Sequence, residues 1–195
     1  MQRGYGLIAA LVACTTLANC EAGDVAVLRD RGVTEDNLAL ANAAAASPTP
    51  LASLPAGGSA SYDGVVAASV SGDYVGSLYA DLAMNIDFAS GSITGQVTNA
   101  DLVDDDTGEV VQNLDGTLTV TGGQAGGVVS AVATGVLVAT SSGPVSGSGT
   151  ANLGLLGDIR TDTSSADTVY GTATGSVTGD LDLGLSDGEF YGTTN

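Results

Sequence analysis

Histidine, lysine and tryptophan are missing from this chain, and of its 195 residues only two are cysteine, two phenylalanine and four proline. Each gap removes a class of function. Without histidine there is no Ser-His-Asp triad and no imidazole ligand for zinc. The two cysteines, Cys14 and Cys20, both lie near the amino terminus, so the body has to fold without disulfides and offers no thiol nucleophile. Four basic residues stand against 22 acidic ones, a formal net charge of −18. Nucleic acid needs cations to neutralise its phosphates, so no nucleic-acid partner is expected. An anionic lipid surface would repel the chain as well. The charge reads first as solubility in a salty or extracellular medium and second as an acidic recognition face.

What the chain does have is glycine, 29 residues of it, set among Val, Leu, Ala, Ser and Thr. An apolar fraction of 44% belongs to a globular protein and argues against disorder. With so few aromatics the core has to be built from Val, Leu, Ala and a few Tyr. A sheet closed on itself suits so thin a set of side chains.

The first stretch, MQRGYGLIAALVACTTLANC, places Arg3 before an apolar run from Tyr5 to Ala13. That is the charge-then-apolar order of a secretory signal, and the run is too short to span a bilayer. It ends in Leu11-Val12-Ala13-Cys14, which resembles the bacterial lipoprotein box with Cys14 as the lipid acceptor. Leu17-Ala18-Asn19-Cys20 is the alternative: Cys20 gives a signal of more usual length, but Asn19 is a poor residue before the cut. Two ordinary core cysteines, or a Cys14 to Cys20 disulfide, form the remaining reading. A lipidated cysteine would hold the protein to the bacterial outer membrane, on its surface or periplasmic face, through acyl chains such as palmitate. Each buried CH₂ contributes about 0.8 kcal/mol to such an anchor.

Residues 1–20 are therefore expected to be a lipoprotein-type signal region and 21–56 a short helix and linker. Thr34 before Glu35, Asp36 and Asn37 suits an N-cap, and Leu38, Leu40 and the following alanines suit a helix. Pro48, Pro50 and Pro55 then favour an extended linker, or a wrap along the outside of the body.

From Gly57 the apolar period becomes two. In SLYADLAMNIDF, Leu78, Ala80, Leu82, Met84, Ile86 and Phe88 share one face, with Tyr79, Asp81, Ala83, Asn85 and Asp87 on the other. Counting the first strand, SASYDGVVAASV, about eight such runs follow one another. They include LDGTLTV as one strand, a run from Thr168 to Leu183, and a last strand DGEFYGTT that is expected to close against the first. The fold class is thus all-β, a single antiparallel β-barrel of about eight strands over 57–195, a number at which side chains can fill the interior. Gly171, Gly175 and Gly179 share a face with Val169, Ala173 and Val177, where small residues permit curvature. A membrane-spanning barrel is the rival, but Asp81, Asn85, Asp87, Thr172, Thr174 and Thr178 lie where lipid would demand apolar residues.

Three segments carry a family resemblance: Tyr62-Asp63-Gly64, Asp87-Phe88-Ala89-Ser90-Gly91-Ser92-Ile93-Thr94-Gly95, and Gly188-Glu189-Phe190-Tyr191-Gly192. In order and wording, residues 57–195 resemble the barrel domain of transferrin-binding-protein-B-like surface lipoproteins. The resemblance implies an eight-stranded barrel with an apolar interior, at the cell surface. Larger members of that family add handle domains and grip iron-loaded transferrin with exposed loops. This chain has one barrel, so only fold and location carry over.

Carboxylate chemistry is the main remaining prospect. Asp104, Asp105, Asp106 and Glu109 in DDDTGE are weak candidates for calcium, lacking the spacing of a helix-loop-helix site. A glycosidase would need facing carboxyls and aromatic platforms. Aromatics make up only 4%, and Tyr62, Tyr79, Phe88, Phe190 and Tyr191 read as plugs or girdle residues. The expectation is a monomeric, non-enzymatic binding module without cofactor, taking a protein or small-molecule ligand at its loops in nutrient or metal acquisition. A structural envelope protein without a ligand is the alternative.

Overall fold

A computed structural model describes residues 57–161 and 167–194. Cys14, Cys20, the expected helix and the proline linker lie outside the described residues. Within them the chain forms strands and turns with no helix. The strands are β1 (Ser59–Gly72), β2 (Gly76–Asp87), β3 (Ser92–Val103), β4 (Val110–Asp115), β5 (Leu118–Ala125), β6 (Val128–Ala139), β7 (Ser148–Thr161), β8 (Asp167–Gly179) and β9 (Leu183–Thr194).

All nine belong to one antiparallel sheet, and the pairing of β1 with β9 closes it into a ring. The expected closure of the first strand on the last is therefore present. The strand count differs from expectation for a local reason. LDGTLTV is two strands, broken where Gly116 takes φ of +142°, a conformation that side-chain-bearing residues avoid. β4 and β5 lie end to end between β3 and β6, each pairing with both. Nine strands thus fill eight places in the ring.

The last turn also falls earlier than expected. β8 ends at Gly179 and β9 starts at Leu183, because Leu181 turns fully into the interior. Asp187-Gly188 does not open a strand but lies inside β9. There Asp187 sits at φ 50°, and the register against both β1 and β8 shifts. Asn99, at φ 52°, marks a similar shift of β3 against β2. Bulges of this kind sharpen local twist and re-aim the side chains that follow.

Alternation decides the interior. Along β2, Leu78, Leu82, Met84 and Ile86 are buried, while Asp81, Ala83, Asn85 and Asp87 on the opposite face are half-buried. Tyr62 and Phe190 are fully buried inside and supply bulk that smaller residues lack, each such burial being worth about 1.5–3 kcal/mol. Gly64 faces Gly192 across the β1–β9 pair. A Cβ at Gly64 would strike the Tyr191 backbone, so this closure depends on the absence of a side chain.

Candidate functional site

The loops after β1, β3, β6 and β8 gather at one end of the ring, since each of those strands runs in the same direction between antiparallel neighbours. Sequence makes that end acidic. Asp104, Asp105, Asp106 and Glu109 come from the β3–β4 loop, Asp73 from β1–β2, and Asp180 and Asp182 from β8–β9. Arg160, the one basic residue among those described, lies near the far end of β7. It pairs with Asp158 at 3.6 Å and stands 5.1 Å over the Tyr170 ring.

The acidic loops are tied down by specific bonds. One Asp104 carboxylate oxygen accepts the backbone N–H groups of Asp106 at 3.1 Å and Thr107 at 2.9 Å, and the Thr107 hydroxyl at 3.0 Å. Those bonds, the Thr107 backbone N–H first, hold its carboxyl below the usual carboxylate range. The Ser77 hydroxyl donates to Asp105 at 2.6 Å. Asp73 and Asp182 clip two loops together: the Asp73 N–H donates to the Asp182 carbonyl and the Asp182 N–H to the Asp73 carboxylate, both at 2.9 Å.

Gln112 does the same for the β6–β7 loop. Only 2% exposed, it donates to the carbonyls of Thr140 at 2.8 Å and Val145 at 2.9 Å, and accepts from the Val145 N–H at 2.9 Å. Val145 is thereby drawn into the core. Tyr74 leans over the same end, half-buried, its hydroxyl lacking a hydrogen-bond partner. Burial, and then the charges of Asp104 and Asp105, raise its pKa.

The four acids singled out in DDDTGE therefore share one loop, but they do not converge. Asp104 is engaged by the turn and Asp105 by Ser77. Among the described residues no group of three or more His, Cys, Asp or Glu is arranged to hold a metal ion. What the end offers is a fixed field of negative charge and hydrogen-bond acceptors, suited to a cationic partner. The interior is filled by side chains. A shallow hollow of about 410 Å³ lies on the flank of the ring, lined by Ser61, Asp63, Asn85, Thr94 and Gln96 around Ala83.

The segments behind the family resemblance have structural roles. Tyr62-Asp63-Gly64 and Glu189 to Gly192 lie on adjacent strands at the ring closure. Asp87 to Gly95 makes the β2–β3 turn, where the Asp87 carboxylate accepts the Ser90 N–H at 2.8 Å, and that bond is the main cause of its lowered pKa. Sequence reasoning passed over Gln112, although it shares parity with the buried Leu114 and so was marked as a polar side chain facing inward. The chain matches no family model, no curated protein and no solved structure.

Proposed function

We propose that this chain is a non-enzymatic lipoprotein of the bacterial outer membrane, anchored through Cys14, or through Cys20 on the second reading of the signal. In this reading its closed sheet is a β-barrel binding module of the transferrin-binding-protein-like type, serving nutrient or metal acquisition. One observation carries it: the acid-bearing loops at one end are pinned by side-chain hydrogen bonds, while the interior is filled with apolar side chains. On this reading binding falls at the loop end, where the charge favours a protein or small molecule with a cationic face. Pre-ordered loops lose little entropy when they bind. A barrel that spans the membrane would bury Asp63, Asp81, Asn85 and Glu189, all on the outer side, in lipid, which argues against that alternative.

The test is capture by the immobilised full chain at micromolar concentration from growth medium and host fluids. A retained cationic partner, released by salt and weakened by Asp105→Asn with Asp182→Asn, supports the reading, because screening reaches about 8 Å at physiological ionic strength. Retention of nothing favours the structural envelope protein. Intact mass of the membrane-extracted protein identifies the acylated cysteine.

A further inference from the structure

Charge is unevenly shared around the ring. From Gly116 to Gly157, and again from Thr168 to Gly179, no residue carries one. β5 and β6 are therefore uncharged throughout, and β7 and β8 carry Asp158, Arg160 and Asp167 only at the end they share. On β9, β1 and β2, by contrast, Glu189, Asp63, Asp81 and Asp87 stand on the outer side. Surface charge keeps copies of a protein apart in solution, so in a chain of net charge −18 an outer side without carboxylates calls for a reason.

That side also exposes apolar side chains. Val128 is 55% exposed, Val132 40%, Val136 53% and Leu156 60%. Single apolar residues at a surface are ordinary, whereas a contiguous group of them marks a contact. The registers make this group contiguous: Leu156 faces Ser130 and Thr172, and Gly154 faces Val132 and Thr174. Leu156 is thus a knob, and Gly154, two residues before it on the same strand, leaves a hollow. The ring itself does not ask for that glycine. A Cβ at Gly157, Gly171 or Gly175 would strike backbone, but one at Gly154 would meet nothing nearer than the Thr174 carbonyl oxygen at 3.5 Å.

We propose that the outer side of β5 to β8 pairs two copies of this chain, in place of the monomer expected from sequence. Knob and hollow lie about 7 Å apart along one strand, so a two-fold axis crossing β7 at Leu155 sets Leu156 of each copy over Gly154 of the other. A self-complementary patch is what a closed two-fold contact requires. The same axis carries the two acidic loop ends to opposite extremities of the pair, where salt screens their repulsion most completely. Area suffices as well. Val128 to Val138 spans about 35 Å and four strands about 19 Å, roughly 1,300 Å² over two copies, within the range of about 1,200–2,000 Å² that specific complexes bury. The pairing rests on neither the anchor nor the ligand reading above.

Sedimentation equilibrium of the full chain tests it, with Cys14→Ser and Cys20→Ser in place so that neither a lipid nor a disulfide joins copies. At physiological salt the mass should rise from one chain toward two between about 1 and 100 μM. More dilute than that the copies part, and unfolding reports on the single ring. Leu156→Asp and Gly154→Val should each weaken the pairing at least about tenfold, with the circular dichroism of the sheet unchanged. Val75→Asp adds the same charge at a residue 79% exposed in the β1–β2 loop, and should leave the pairing as it was. Leu156→Asp decides alone if Gly154→Val disturbs the sheet. Added salt should tighten the pairing, because it screens the repulsion between two acidic chains. A single-chain mass at every concentration overturns the proposal, as does growth beyond two chains. So does weakening by salt, or an effect of Leu156→Asp no larger than that of Val75→Asp.

Discussion

Val65 and Val136 are the same residue type on the outer side of the same ring, yet one is 3% exposed and the other 53%. On β6, Val128, Val132, Val136 and Val138 alternate outward into solvent. There the β-branched side chain suits the strand even without burial. On β1, β2 and β9 the outward residues include Tyr79 and Tyr191, whose apolar bodies are covered. Alternation fixes which side of a sheet a residue takes. What meets it on that side is a tertiary matter, and the two flanks of this ring differ only there.

The harshest way to break the comparison is to remove the strand through which the ring closes. Deleting residues 187–195 takes the end of β9 from both β1 and β8, leaving Gly64, Tyr62 and Val169 without their cross-strand partners. Both flanks are expected to fail together, with the cooperative thermal transition followed by circular dichroism abolished. Survival of exchange-protected amides on β6 and β7 alone would show that the flanks fold separately. A sharper cut compares Val65→Asp with Val136→Asp in urea unfolding. A carboxylate at the covered site should cost about 2–4 kcal/mol, since a buried charge has no compensating bond. The exposed site should change by no more than about 0.5 kcal/mol. Equal effects would erase the distinction between the flanks.

Much of the ring was legible beforehand for a physical reason: period-two patterning is read directly from residues such as Leu82, Met84 and Ile86, and turns between strands carry their own signals. The closure of DGEFYGTT on the first strand was legible in the same way. The β4–β5 break was not, because Asp115-Gly116 reads equally as a curved strand and as an interruption, and only the partners on either side decide. Asp187-Gly188 has the composition of a hairpin turn but serves as a bulge, because the chain has already turned at Asp180 to Asp182, where Leu181 takes the interior. The acidic loop was visible as composition. Its pinning by Ser77 was not, nor was the hold of Gln112 on the β6–β7 loop, since those bonds join residues 28 or 33 positions apart in the chain. The covered flank left one trace, tyrosines at 79 and 191 in outward positions, and parity alone gave no reason to bury them.

Tyr170, at the border of the covered flank, provides a smaller and pH-dependent contrast. Its hydroxyl donates to Glu189 at 2.6 Å. Burial first, then that bond and the Glu189 charge, push its pKa up to about 12, with Arg160 pulling the other way. A phenol whose pKa is raised on folding contributes stability in full below the unfolded value near 10. That contribution is lost as pH rises from there through the folded value. Ultraviolet titration near 295 nm should therefore show Tyr170 among the late phenols of the folded chain, and thermal midpoints should fall between about pH 10 and 12. Glu189→Gln should bring the titration of Tyr170 earlier while leaving the part due to burial.

The smallest effect belongs to the exposed turns. Asp87 and Asp104 have pKa values lowered by backbone N–H groups, from Ser90 and from Thr107 respectively. A lowered carboxylate contributes stability above its unfolded value, near 3.8 for both, and loses it as pH falls through the folded value. Thermal midpoints should therefore slope downward below about pH 4. Asp104→Asn and Asp87→Asn should each flatten part of that slope, at opposite ends of the ring. Because both carboxylates face water, neither substitution should alter the difference in urea stability between Val65→Asp and Val136→Asp. If Asp104→Asn did change that difference, the acidic loop end and the flank around Val65 would be one coupled unit, and the contrast between flanks would have to be redrawn to include the loops.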